Sequence, residues 1–502
     1  MAPYVRKVQT PSGATAVQIV SKRYGVRTID EHVGSGRNPA EVEALVHVAK
    51  KKIHGGQQTF DLDALTPSTP IGAEPYVVAN QARVLWEQLC ASYDRVGLDS
   101  VGNDVFKQLT LGRVVKATSK AGTLEVLKRL GIPTPSLRTV WRVIGRCATE
   151  DWRETVSKAT YAHANNRGPL RLVLYDVTTL YFEIDEEDDL RKVGLSKERR
   201  VDPQIVVGLL TTRDGFPLEI QCFEGNKAET TTLVPVLEAF RSRNTDTDMV
   251  VVGDAGMLSA GNLNALEDAG FAFIVGSRIT QAPYDLAEHF TANDTTFVDG
   301  QTIECSRLMG LGENRRSRRV VYQYREKRAR RDALTLSKEI ERAESIVSGR
   351  KPPKKARFVK TKGDAKPEID QKRIDTAGGL IGLKGYVTNI PEIRMGALEV
   401  AATYHDLFQI ERSFRMAKSD LRARPIFHHQ RGSIEAHLTI VFAALAVGKD
   451  LEERSGISIK KLVETLEPLR TMTININGHT ITANTPASAD AEAILTCLKT
   501  GH

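Results

Sequence analysis

Residues 171–183, RLVLYDVTTLYFE, decide how the chain is to be read. The run is long and β-rich, and it carries an acid, Asp176, between apolar neighbours, where a short charged side chain is disfavoured unless it has a task. Working outward, residues 205–212 and 216–223 are two further strand-like runs flanking Arg213-Asp214-Gly215, a hairpin signal, so three antiparallel strands in succession are expected. Residues 227–243 then read as a helix and 249–253 as a buried strand. Residues 259–269 follow as a helix and 271–276 as another buried strand. The resulting order is β-β-β-α-β-α-β, with parallel crossovers in its second half.

That is the element order of a ribonuclease H-like α/β fold, whose next helix is delayed here. Residues 279–397 form a mixed, basic region with a charged helix near 325–347 and a strand-like end near 385–390. Helical periodicity returns only at 398–421 and 433–454. The expectation is a ribonuclease H-like catalytic core, 171–278 and 398–455, interrupted by a β-rich basic insertion at 279–397. Before it come an N-terminal β unit and helix (1–54), a Gly/Gln- and Pro-rich linker at 55–75 and a helical region (75–165). Within the helical region, 123–130, a break at Gly131-Ile132-Pro133 and 135–147 resemble a DNA-binding helix-turn-helix, or equally an ordinary helical hairpin. A C-terminal extension, 456–502, holds a helix near 460–469 and a hairpin turning at Asn477-Gly478.

Composition narrows the function. The 502 residues carry 70 Lys plus Arg against 62 Asp plus Glu, a formal net charge of +8, and 41% are hydrophobic, which excludes a wholly disordered or fibrous chain. The longest apolar run, residues 438–447, is far short of a membrane span, which needs about 20 residues, and residues 1–30 hold no secretory core, so no membrane partner is expected. Five scattered cysteines with no C-x-x-C pair suggest neither disulfides nor zinc and fit a reducing cytoplasm. The charge is concentrated: residues 313–331 and 349–373 are each +7, which leaves −6 for everything else. Two such runs, interleaved with Tyr322, Tyr324 and Phe358, favour a polyanionic partner.

Asp254 ends the expected fourth strand in MVVVGDAGM (249–257), and in this element order the first and fourth strands are neighbours, which would bring Asp176 and Asp254 together. A third acid is expected from LEVAATYHDLFQIERSFRMAKSDL (398–421). Tyr404, Glu411 and Lys418 recur there every seven residues, about 20° short of two helical turns, and so share one face of a straight helix. Val400, Leu407, Ile410, Phe414, Ala417 and Leu421 form a second, apolar stripe roughly 70° away. His437, in the helix that follows, reads as a packing residue.

The acids Asp176, Asp254 and Glu411, with Tyr404, Glu411 and Lys418 in Y-x6-E-R-S-F-R-x2-K-S-D-L, resemble the bacterial insertion-sequence transposases of the DDE class, the group with a β-rich insertion before the catalytic Glu. Lys418-Ser419-Asp420-Leu421 followed by Arg424-Pro425-Ile426-Phe427-His428 is similar to that group, as is Gly225-Asn226. Spacings of 78 and 157 residues between the acids suit a long insertion. The resemblance implies metal-dependent cleavage of double-stranded DNA at the terminal inverted repeats of a mobile element. It further implies transfer of the freed 3′-OH into target DNA by a homodimer in the end-paired complex, in the cytoplasm at the bacterial nucleoid. Asp176, Asp254 and Glu411 would be catalytic and metal-binding; three carboxylates with no Cys/His set suit Mg2+ or Mn2+, two ions in all. Tyr404 and Lys418 would position a phosphate.

Two departures carry expectations of their own. The group's signature has an Arg three residues after the Tyr, where this chain has Leu407, and Arg415, one turn beyond Glu411, is expected to substitute. Trp86, Trp141 and Trp152 all precede the core, so Tyr322 or Tyr324 is expected to replace the insertion-domain Trp on which relatives stack a flipped base. Arg412, Arg315, Arg316, Arg318, Arg319, Lys354 and Lys355 complete the expected DNA-binding set. The alternatives are a ribonuclease H-like nuclease or resolvase that cuts without joining, and a catalytically silent, transposase-derived DNA-binding protein.

Overall fold

Val250, Val251 and Val252 are buried on both faces, as a strand in the middle of a parallel sheet must be. They belong to β8 (Val250–Gly253), which lies between β5 (Leu172–Tyr181) and β9 (Ala272–Ser277), parallel to both. On the far side of β5 come β6 (Gln204–Thr212), buried along its whole length, and β7 (Pro217–Glu224), both antiparallel. Helices α7 (Leu233–Arg243) and α8 (Ala260–Asp268) make the two connections that lead into β8 and β9.

The computed structural model describes the chain apart from residues 1–2, 11–12, 24–25, 54–74, 184–185, 195–201, 229–230, 245–248, 258, 278–296, 351, 353–355, 362–365, 425, 427, 477 and 501–502, and it comprises two units, Met1–Glu74 and Pro75–His502. The expected linker lies almost wholly outside the described residues. In the first unit, α1 (Pro39–Ile53) packs on a three-stranded antiparallel sheet, β1 (Tyr4–Gln9), β2 (Thr15–Arg23) and β3 (Val26–Gly36), around Val17, Ile19 and Ala49.

In the second unit the main sheet does not end at β9. Strands β10 (Thr302–Met309), β11 (Arg316–Tyr324) and β14 (Leu383–Thr388), all from the basic region, extend it in the order β10-β11-β14-β9-β8-β5-β6-β7. The region expected to stand apart as an insertion thus continues the core sheet, with β14 antiparallel to β9. A charged helix, α9 (Glu326–Val347), a small ribbon of β12 (Val359–Lys360) and β13 (Glu368–Ile369), and α10 (Gln371–Gly378) lie between β11 and β14.

The helical region begins with a strand that sequence patterning had assigned to helix. β4 (Tyr76–Gln81) pairs with β15 (Thr471–Ile476) of the C-terminal hairpin, which continues into β16 (His479–Asn484). Then come α2 (Arg83–Arg95), α3 (Asp104–Val115), α4 (Lys120–Leu130), α5 (Leu137–Thr149) and α6 (Trp152–Asn166). Ser119 and Ser136 cap α4 and α5 by accepting from the N–H groups of Gly122 and Thr139. Gly131 ends α4 at φ 77°, and a Cβ there would come within 2.7 Å of the Asn80 carbonyl, so the turn accepts only glycine.

Three helices close the core: α11 (Ala397–His405), α12 (Leu407–Arg415) and α13 (Arg431–Ser455). The third is buried almost all round, with α3 and α5 against it on one side and β7 on another, and α14 (Ile459–Leu466) and α15 (Ala489–Thr500) pack at its end. Among the described residues no helix is long and apolar enough to cross a membrane.

Candidate active site

Parallel register places two acids side by side. Tyr175 of β5 lies opposite Gly253 of β8, so Asp176 and Asp254, each one residue further on, leave adjacent strands at the same level, with Cα atoms on the order of 5 Å apart. Asp254 stands exposed at the carboxyl end of β8, its Oδ1 accepting from the Ala255 N–H at 2.6 Å as a short 3-10 turn begins. Asp176 is half-buried, and its Oδ1 accepts from the Val177 N–H at 2.8 Å.

Tyr404 of α11 joins them. Its buried phenol donates to Asp254 Oδ1 at 3.1 Å, and burial, followed by the charge and hydrogen bond of Asp254, raises the phenol well above its ordinary range, with Asp176 a further contributor. The ring reaches that position because β9 carries Gly276 beneath it, where a Cβ would stand 2.4 Å from the Tyr404 hydroxyl. Over the ring lies Lys384 of β14, its Nζ 4.3 Å from the centroid. Burial, then Arg328, holds Lys384 below the usual lysine range, while Asp254 and Glu411 pull it back. Lys384 is therefore an internal cation among the acids. Sequence reading missed it because nothing in LKGYVT sets this lysine apart from the many others in the basic region.

Glu411 behaves differently. The expected single helix over 398–421 is three segments: α11, α12 after a one-residue interruption at Asp406, and a π-turn over Met416–Asp420, in which the Leu421 N–H reaches back to the Met416 carbonyl at 2.9 Å. The break lets α11 pack on β8, β9, β14 and β11, and α12 on β5 and β6. All six residues of the expected apolar stripe are buried. The interruption at Asp406 and the π-turn are departures from the straight helix on which Tyr404, Glu411 and Lys418 were expected to share a face. Glu411 is exposed, and among the described residues no three of His, Cys, Asp and Glu gather closely enough to hold an ion. Asp176 and Asp254 are brought together as oxygen donors that fit a hard cation; Glu411 is coupled to Asp254 through Lys384 but does not complete a cluster.

The expected DNA-binding residues divide sharply. Arg412 and Arg415 are exposed on α12. Lys418 is half-buried in the π-turn beneath the site, and Arg315 is exposed before β11. Arg316 pairs with Glu267 at 3.1 Å and Asp268 at 2.7 Å, Arg318 is buried against Glu267 and Asn264, and Arg319 is bound to Glu304 at 2.5 Å and to the Met395 carbonyl. Arg318 and Arg319, their side chains 0% and 13% exposed, tie β11 to α8, β10 and the start of α11 rather than facing a phosphate, while Arg316 remains 37% exposed beside its acids. Tyr322 is fully buried and cannot stack a base, and Tyr324 stacks on Phe297 with centroids 4.8 Å apart. Lys354 and Lys355 lie outside the described residues. On α5, by contrast, Arg138, Trp141 and Arg142 are all exposed.

Residues 169–447 match the family model of the transposase DDE domain. No curated protein matches the chain. Among solved structures, the chain is similar to a piggyBac transposase synaptic complex with hairpin DNA, at 10% identity over 77% of each chain and a TM-score of 0.36. It is also similar to a Mos1 transposase paired-end complex with left transposon end, at 11% identity over 46% of this chain and 71% of that one, with a TM-score of 0.16.

Proposed function

Because the chain belongs to the transposase DDE domain family across residues 169–447, we propose that it cuts DNA at the ends of a mobile element and joins the freed 3′-OH to target DNA. The observation that carries this reading is the register that aligns Asp176 with Asp254 at the mouth of the parallel strands, with the Tyr404 phenol on one carboxylate. The strand order β7-β6-β5-β8-β9 matches that of a ribonuclease H-like core, and we take Glu411, on α12 beside it, as the third acid. Two Mg2+ or Mn2+ ions, when bound by these acids, would supply activation of water and neutralisation of the leaving oxygen.

The chain's own residues do the rest. Tyr404 holds Asp254 in place; Lys384 offsets the carboxylates' mutual repulsion; and Lys418, Arg412 and Arg415 receive the phosphate backbone beside the cut. Helix α5, with Arg138 and Arg142 outward, docks on duplex DNA as the second helix of a helix-turn-helix. Two copies, one on each element end, act together.

The test is cleavage of a labelled duplex carrying the element's terminal repeat with Mg2+ present. Asp176→Ala and Asp254→Ala are each expected to abolish it, and cleavage persisting in either variant overturns the assignment. Supplying the end already cut separates this reading from that of a nuclease that does not join: strand transfer to a plasmid is expected, and its absence alongside intact cleavage favours the nuclease.

A further inference from the structure

Away from the aspartates, the helical region and the loop after the π-turn enclose a cavity of about 450 Å³, a size ordinary for a small-ligand site. Arg113, Lys120, Arg422 and Arg424 line it together with Trp141 and His428, and no carboxylate does so among the described residues. Like charges gathered in a partly enclosed space repel one another, and a protein gains nothing in stability from such an arrangement.

The cluster is held in place by specific contacts. Lys120, only 6% exposed, bonds through Nζ to His437 Nδ1 at 3.2 Å, while His437 Nε2 meets the Ala423 carbonyl at 3.1 Å. A carbonyl only accepts, so Nε2 carries the imidazole proton and Nδ1 accepts from the ammonium. His437 therefore orients Lys120 without neutralising it. Burial, then Arg113, lowers Lys120 to about 7, so an anion placed beside it would favour its charged form. Buried Arg113 donates through Nη1 to the carbonyls of Leu421 at 2.7 Å and Arg422 at 3.1 Å, holding Arg422 in a left-handed conformation at φ 43° that non-glycine residues rarely adopt. At the rim, Trp141 is 48% exposed, with His428 edge-on to it at 5.9 Å, and α4 begins in the wall, adding the positive end of its dipole.

We propose that this cavity binds one nucleotide of a DNA strand, with its phosphate between Lys120 and Arg422 and its base against Trp141. A bare anion would use Lys120 and Arg422 but not the exposed indole; an apolar ligand would use the indole and not those two charges. A nucleotide uses both. The inference rests on the DNA reading above only for the source of the nucleotide.

The full chain is titrated in EDTA with a single-stranded oligodeoxynucleotide, and binding is read by tryptophan fluorescence and by anisotropy. Without metal the result does not depend on whether the aspartates cut DNA, so the two readings fail separately. The parent chain is expected to show quenching. Trp141→Phe is expected to lose most of it, since Trp152 is buried and Trp86 half-buried, and to bind roughly tenfold more weakly. Arg422→Asn, which tolerates the left-handed backbone, is expected to bind roughly tenfold more weakly with a salt slope lower by about one. An oligonucleotide with abasic sites is expected to bind the parent chain only as tightly as the intact one binds Trp141→Phe. Unchanged affinity in either variant, or abasic DNA binding as tightly as intact DNA, overturns the proposal. So does inorganic phosphate competing as well as thymidine monophosphate, or free thymidine monophosphate binding as tightly as the strand, which would make the ligand a free nucleotide.

Discussion

The phenol of Tyr404 has two neighbours of opposite sign: it donates to Asp254 from one end and carries the Lys384 ammonium on its face. Removing the hydroxyl leaves an exposed carboxylate that water can solvate, so Tyr404→Phe is expected to unfold at nearly the same temperature as the parent. The lost bond to an ionised acceptor positioned Asp254, so end cleavage at saturating DNA is expected to fall about tenfold. Equal rates would remove Tyr404 from the site. Lys384→Gln takes a positive charge away from the aspartates that are proposed to hold the metal ions. Its affinity for Mn2+, measured by calorimetric titration without DNA, is expected to rise roughly two- to fivefold, since the pair is partly solvated and the repulsion modest. An unchanged or weaker affinity would show that Lys384 does not face the ion.

At the scale of elements, strands β5 to β9 were legible because buried parallel strands are continuous apolar runs and the hairpin between β6 and β7 turns at Gly215. The aspartate pair followed from that order. Strands β10 and β11 were hidden because Arg316, Arg318 and Arg319 look like solvated charge until their partners Glu267, Asp268 and Glu304, distant in sequence, are known. The break at Asp406 was equally invisible: neither glycine nor proline marks it, and the apolar spacing on each side stays helical. Strand β9 supplies an element-level test, because Gly276→Ala inserts a methyl where the Tyr404 hydroxyl lies. It is expected to cost about 1–3 kcal/mol in denaturant unfolding and to lower cleavage as Tyr404→Phe does. A variant that lost stability but kept full activity would show that the close approach only fills space.

Across the whole molecule, the formal charge of +8 overstates what DNA can meet. Part of the basic region is internal mortar, and Arg318 and Arg315, three residues apart, are expected to respond in opposite ways. Arg318→Ala removes a fully buried side chain and leaves Glu267 to Arg316 alone, and is expected to destabilise the chain by about 1–3 kcal/mol in thermal unfolding. Arg315→Ala is expected to leave the melting temperature within a degree or two and to weaken DNA binding, with a shallower salt dependence. If Arg315→Ala also lowered the melting temperature by several degrees, Arg315 would belong with the internal pairs.

Helix α13 imposes an order in time. Its Asp450 accepts from Ser92 and Arg95, residues made some 350 positions earlier, and the helical region has its apolar faces against that helix. A polypeptide still emerging from the ribosome lacks that surface, so its early helices wait, incompletely packed, until residue 455 is free. A chain stopped before residue 431 therefore leaves those early helices without the surface they pack on.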